Sequence, residues 1–510
     1  MTPPDDSLTD PDWSDPEWSA PEQRATTRWA RRDRPTPVEP ERGRAAALIA
    51  AASVAVVVAV VAAVASVPPT TPAPVSSDAA VVAPAGAYSS SAFCPAGTGT
   101  AATTTIYLTN STRRTVLGVM TAVGSPVSGG TEPTTHQRVS VPALGTLAVD
   151  PVAGLPAGST AASFTFAGGG VVATQAVSGP GGWSTAPCPS QISSQWGFAG
   201  GSTAAGNSLT LSLFDPAAVG AVVNVTFITE AGVITPQQYQ GLVVPPDQLV
   251  DESVGDFVQG RNTIATLVTA QAGGVVTSEF QQWSGSSTGV SLRAGSPSAS
   301  TTWRFAQTTA LSQSTVDITL ANPGPTPATT TISLGLSSGS VVPHRLVVAP
   351  SSVAVFSASG TGGLPEQVPY ALTVTSSAPI VVGRSVQAPA GSVQPGWGSS
   401  TATATVATRW LVPGPGIPSA PGTANATVDS LAVANPGPSP VRVVVGTLGG
   451  SHPVAAFTVD PDRLTVLASP QVEGLPVLTV SASGPVAVEE DSGPSGAPGV
   501  VSSTGFPLAP

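Results

Sequence analysis

An all-β chain, with tandem immunoglobulin-like β-sandwich modules behind one N-terminal transmembrane helix, is the fold class this sequence predicts. Three observations predict it: a 107-residue repeat opened by tryptophan, short strands of period two between proline and glycine turns, and one uncharged apolar run near the N-terminus.

The repeat is carried by Trp196, Trp303 and Trp410, each 107 residues after the one before. Trp303-Arg-Phe leads to Asp317-Ile-Thr-Leu-Ala-Asn-Pro, and Trp410-Leu-Val leads to Ser430-Leu-Ala-Val-Ala-Asn-Pro. Trp196-Gly-Phe leads to Leu209-Thr-Leu-Ser-Leu-Phe-Asp-Pro, with Asp215 again 107 before Asn322. So long a period means an array of whole small domains, not the units of a solenoid or propeller.

From the N-terminus, residues 1–44 read as a disordered cytoplasmic tail. It carries the acidic, proline-punctuated duplication around Trp13 and Trp18, then seven arginines from Arg24 to Arg44. Residues 45–67 hold no charge and no polar group larger than serine. At about 1.5 Å per residue they give roughly 35 Å of helix, enough for a bilayer core of about 30 Å. The arginines stand before this run and the next one is Arg113, so the N-terminus is expected in the cytoplasm and the rest outside. A cleavable signal peptide is the rival, since Ala63-Val64-Ala65 suits a small-residue cleavage site. Its leader would be far too long. Residues 68–92, rich in Pro, Thr and Ser, read as an extended linker unable to bury a core.

Four modules are expected to follow, over 93–190, 195–292, 302–392 and 405–510. Module three shows the strand pattern best: Val316, Ile318 and Leu320 alternate with Thr315, Asp317 and Thr319. Asn322-Pro-Gly-Pro is then a turn, its Asn side chain bonding backbone beyond the proline, and Asn435 repeats it in module four. Six or seven short strands in about 100 residues is the pattern of an immunoglobulin-like sandwich. Modules joined by short linkers are expected to fold as separate units. Module ends match as well: Val171-Val-Ala-Thr-Gln, Val275-Val-Thr-Ser-Glu, Ile380-Val-Val-Gly-Arg and Val486-Ala-Val-Glu-Glu. Cys94 and Cys188, the only cysteines, flank module one in Cys-Pro contexts and in an exported chain are expected to pair.

Composition excludes little but usefully. Charged residues are 9% of the chain, all 18 basic residues are arginine, and the net charge is −11, which argues against nucleic acid as a partner. His136, His344 and His452 each precede the same strand of their own module, so a shared metal is not expected. Gly285-Ser-Ser-Thr-Gly289 and Gly335-Leu-Ser-Ser-Gly339 match the hydrolase elbow in letters only, because no helix follows. The carboxylates Asp247, Asp251, Glu252 and Asp256, and the run Glu489-Glu490-Asp491, read as solvated loops rather than as an acid–base pair or a calcium site. Trp183, Trp283 and Trp397 sit in Gly/Ser-rich stretches near module ends. They could stack on sugar rings, although packing between modules is the plainer reading.

The arginine-flanked anchor, the Pro/Thr spacer, the Cys94–Cys188 module and the Asn-Pro-Gly repeats together resemble an actinobacterial, membrane-anchored, secreted family catalogued as a domain of unknown function, family 5719. That resemblance implies an envelope role and assigns no residue a function. The sequence thus leads to a non-catalytic cell-envelope protein with no cofactor, single-pass in the cell membrane through residues 45–67. Its exported array would scaffold or bind envelope proteins; the alternatives are a cell-wall carbohydrate-binding array and, more remotely, an envelope hydrolase.

Overall fold

The computed structural model describes residues 80–508 apart from 126–132, 285–286, 310–313, 361–366, 390–395, 414–429, 469–470, 473–474, 476 and 493–500. The expected tail, the apolar run 45–67 and the start of the linker lie outside the described residues. No helix among the described residues is long and apolar enough to cross a membrane.

The described chain is all-β, with three single-turn 3₁₀ segments as its helical content. Val and Thr are the commonest strand residues, because branched side chains pack well on a pleated, half-buried surface. Module one shows the plan. One sheet holds Ser90–Ala96, Thr160–Phe166, Val116–Gly124 and Thr134–Val141; the other holds Gly145–Val149, Thr103–Asn110, Val171–Gly179 and Gly182–Pro187. All pairs are antiparallel, and the core between them is built on Leu108, Met120, Phe164 and Phe166.

Modules two, three and four repeat the same pairings around cores of their own. Two strands of module one merge in modules three and four into the single long strands Pro369–Ala388 and Leu478–Ser492, each serving one sheet with its first half and the other with its second.

The repeated tryptophans are the centre of this plan. Trp196, Trp303 and Trp410 are buried, and each indole N–H donates to the carbonyl at the start of the matching late strand: Val275 O at 2.8 Å, Ile380 O at 2.8 Å and Val486 O at 3.1 Å. A buried Trp needs such a partner. Module one has Ala92 at that position and Cys94 where module two has Phe198. In place of the two aromatics this module carries a disulfide between Cys94 and Cys188, 94 residues apart. In the chain-entropy model a loop of that length contributes about 4–5 kcal/mol.

The Asn-Pro turn forms as expected, and its chemistry explains the repeat. Asn322 Nδ2 donates to Thr326 O (2.8 Å), Val348 O (3.2 Å) and Ala349 O (3.1 Å), while its Oδ1 accepts from Gly324 N at 3.0 Å. Asn435 and Asn110 do the same in modules four and one. Module two substitutes Asp215, fully buried, whose Oδ1 accepts from Ala217 N at 2.8 Å. Burial raises its pKa above the ordinary carboxylate value, against two backbone hydrogen bonds that lower it. A raised folded-state pKa gives stability that is lost as pH rises through it. Asp215→Asn, which restores the donor, should therefore stabilise the protein by about 1 kcal/mol at neutral pH. Urea unfolding of both forms at pH 5 and pH 8 checks it: the gain should be larger at pH 8.

Residues 80–92 depart from the extended linker expected over 68–92. Ala80 and Val82 are buried in an apolar cluster, Gly170 N donates to Ala83 O at 2.9 Å, and strand pairing begins at Ser90. The Ala-Val content of this stretch lets it pack, where Pro and Thr alone would not.

Candidate functional site

The modules are not strung out. Residues at the same positions of the repeat build each junction, with one sheet face of a module meeting the neighbouring module's Asn-Pro strand and late strand. Between modules one and two, Phe93, Val123 and Ala161 meet Phe214 and Leu249. Between two and three, Ala199, Ile228 and Ala265 meet Ala321 and Val381. Between three and four, Ala306 and Ala371 meet Ala432, Ala434, Leu464 and Ala487. The fourth junction closes the set: Leu411, Val477 and Phe506 of module four meet Val172 of module one, with Ala80 and Val82 wedged beside them. Val172 stands at the repeat position of Val381 and Ala487, and Val477 at that of Ala161, Ala265 and Ala371. Four head-to-tail junctions that return to their start make a ring, as heterologous contacts do when the rotation closes.

The last strand of each module lines the middle of that ring. Gly182–Pro187, Gly289–Ala294 and Gly396–Thr401 begin 107 residues apart, and Val501–Thr504 is the fourth. The first three are tied to one another: Ser184 Oγ accepts from Leu292 N (3.0 Å), Ser291 Oγ donates to Ser399 O (2.7 Å), and Thr401 Oγ1 donates to Ala294 O (3.0 Å). A parallel bridge from Gly289 to Trp397 fuses modules two and three into one 11-stranded sheet. Where the four strands converge they leave a cavity of about 70 Å³, its wall including Thr185, Arg293, Ser400 and Ser503.

Around this axis lie buried charges. Glu489-Glu490-Asp491, expected as a solvated loop, forms part of strand Leu478–Ser492, with Glu489 and Glu490 buried. Glu489 pairs with Arg384 of module three and accepts from Gln307 N at 3.0 Å. Arg384 also donates to Gln307 O, Thr308 Oγ1 (2.7 Å) and Ser400 Oγ (2.9 Å), and stacks 4.6 Å from the Phe305 ring centre. Glu279 pairs with Arg293 in module two, and Arg293 donates to Ala199 O at 2.6 Å. Arg384, Glu279, Gln175 and Glu490 occupy one repeat position, the fifth residue of the matching module ends. That repeat match was visible in sequence; the facing partner, drawn from another module, was not.

Burial pushes the Asp491 carboxyl up to about 7, and the Glu489 carboxylate adds to it, against Arg384 and a hydrogen bond from Ser502. Raised above its unfolded value, this group contributes stability that is present at low pH and lost as pH rises from about 4 through 7. Asp491→Asn should flatten that fall, and thermal unfolding of both forms between pH 5 and pH 8.5 measures it.

Of the three tryptophans read as possible glycan platforms, Trp283 is 3% exposed and its ring stacks on Trp397, centroids 5.3 Å apart and 13° from parallel. The pair packs module two on module three, so Trp283 offers no open face to a sugar. Trp183 and Trp397 are half-buried on the inner strands. His136 bonds Thr121 at 3.1 Å and His344 packs on Phe356; among the described residues no three His, Cys, Asp or Glu gather as a metal set. Asp251 accepts from Ser212 at 2.7 Å, and burial raises its pKa.

The model of the Family of unknown function (DUF5719) matches residues 152–417, just over half of the chain. The chain belongs to this family. The DUF5719 match runs from the last three strands of module one through modules two and three to Trp410 and the residues beyond it. No curated protein matches the chain. Among solved structures, one titled Thermotoga maritima 1070 is 17% identical, covers 20% of this chain and 93% of its own, and has a TM-score of 0.19. A tetra-tandem repeat from the extending region of a large adhesion protein is 13% identical, covers 82% and 99%, and has a TM-score of 0.11. Likenesses this distant carry no argument for fold or function.

Proposed function

We propose that this DUF5719 protein is a non-catalytic scaffold and binding protein of the cell envelope. Residues 45–67 anchor it as a single transmembrane helix, and its four modules are immunoglobulin-like sandwiches held outside the membrane. One observation carries the reading: the module-to-module junctions use equivalent surfaces and return from module four to module one. A chain that devotes its buried charges, Arg384–Glu489 and Glu279–Arg293, to holding sheets together is built for shape. Electrostatic pairs of this kind fix geometry more than they add stability. The seven arginines before residue 45 and the absence of another until Arg113 support the orientation.

Protease added to intact spheroplasts tests the placement. Digestion of residues 68–510 with the Arg24–Arg44 region spared is the expected result. A mature N-terminus near Ser66 would replace the anchored form with a secreted one.

A further inference from the structure

The four junctions are equivalent in position but not in filling. At the junction of modules two and three, the sheet face of module two presents Gly197, Ile228 and Leu267, and Val381 closes on Gly197. The register of module three puts Arg304, Gly335 and Thr373 at those places, and Ala487 of module four replaces Val381. Three branched apolar side chains have become glycine, threonine and alanine, and a glycine has become arginine. A cleft of about 620 Å³ results between modules three and four, within the range of about 300–1,000 Å³ typical of small-molecule sites.

Its wall is polar on one side. Thr302, Ser333, Thr373 and Thr375 present hydroxyls from three adjacent strands of module three. Arg304 lines the same wall, held by Ala404 O at 3.1 Å. Across from it stands Arg463, on the Pro461–Arg463 turn of module four, donating to Gly339 O. Gly335 is required there, because a Cβ would lie 2.7 Å from Asp462 O. The turn therefore bridges the two modules at the rim. An unfilled junction in an otherwise close-packed ring costs stability, and a hollow walled by hydroxyls and two guanidiniums, with Asp462 the one carboxylate in its lining, suits a hydroxylated anion.

We propose that this cleft binds an acidic sugar: a short glycan whose hydroxyls meet the Ser/Thr wall and whose carboxylate or phosphate meets Arg304 and Arg463. Guanidinium suits both anions through paired N–H donors. The proposal rests on the scaffold-and-binding reading and names the ligand class and its place. It needs neither Trp183 nor Trp397.

Calorimetric titration of the detergent-solubilised full chain tests it, with trigalacturonate for the carboxylate source, glucose 1-phosphate for the phosphate source and maltotriose as the neutral control. At least one charged probe should saturate while maltotriose does not. Arg463→Gln should weaken binding by about tenfold or more, as for loss of a hydrogen bond to a charged group. Thr373→Leu, which installs the side chain that module two carries there, should weaken it likewise with the melting temperature kept. No saturable binding of either charged probe, or unchanged binding in both variants, overturns the proposal. If scattering shows the ring still closed when nothing binds, the acidic-sugar site falls and the scaffold stands; an open ring would remove the scaffold itself.

Discussion

Arg384→Met should destabilise the exported region by about 3–5 kcal/mol, the cost of leaving a buried carboxylate without its partner. Arg384 is 2% exposed and Glu489 1%, and they come from different modules. Truncation strands Glu489 beside Asp491, a second, half-buried acid, so the loss falls on the junction of modules three and four. The companion variant Arg384→Met with Glu489→Leu should recover most of the loss, since apolar replacement of a whole buried pair is often neutral. Urea unfolding of the three proteins measures this. A loss below about 1 kcal/mol for the single variant would match a solvent-exposed pair and contradict the buried junction.

Ile318→Asp should have the larger structural reach. Ile318 is fully buried in the core of module three, and an unpaired carboxylate there costs several kcal/mol. A domain holds about 5–15 kcal/mol in all. The repeat alone suggests that module three would then unfold by itself. The junctions argue otherwise, because strand Pro369–Ala388, paired with Ile318 through Arg384, also carries Val381 against module two and Arg384 against module four. Hydrogen exchange should lose protection across modules two to four. Loss confined to about residues 300–400 would mean that the junctions contribute little.

What could be read in the sequence was whatever stays within a module. Val316, Ile318 and Leu320 are all buried, as their alternation requires, and Asn322 bonds beyond its proline because Pro and Gly fix the turn around it. The Cys94–Cys188 bridge followed from equal flanks of one module. The junctions were not legible, because each joins residues whose partners lie in another module. Ala199, Ala265 and Ala321 look like ordinary strand alanines until a second sheet covers them. Glu489-Glu490 looks like a solvated charge run until Arg384 arrives from 105 residues away. Trp283 looked like an exposed loop aromatic for the same reason: its cover, Trp397, belongs to the next module. Even Ala80 and Val82, inside a Pro/Thr stretch, are buried only because modules four and one meet there.

The closed ring is the central claim, and small-angle X-ray scattering of the exported region, residues 68–510, tests it most directly. A compact body of this length should have a radius of gyration of roughly 22–25 Å by the scaling of globular domains. Four modules of about 13 Å each, joined end to end, would give at least roughly twice that value. The ring predicts the smaller radius together with a short maximum dimension; the larger radius, with the profile of a rod, would contradict it.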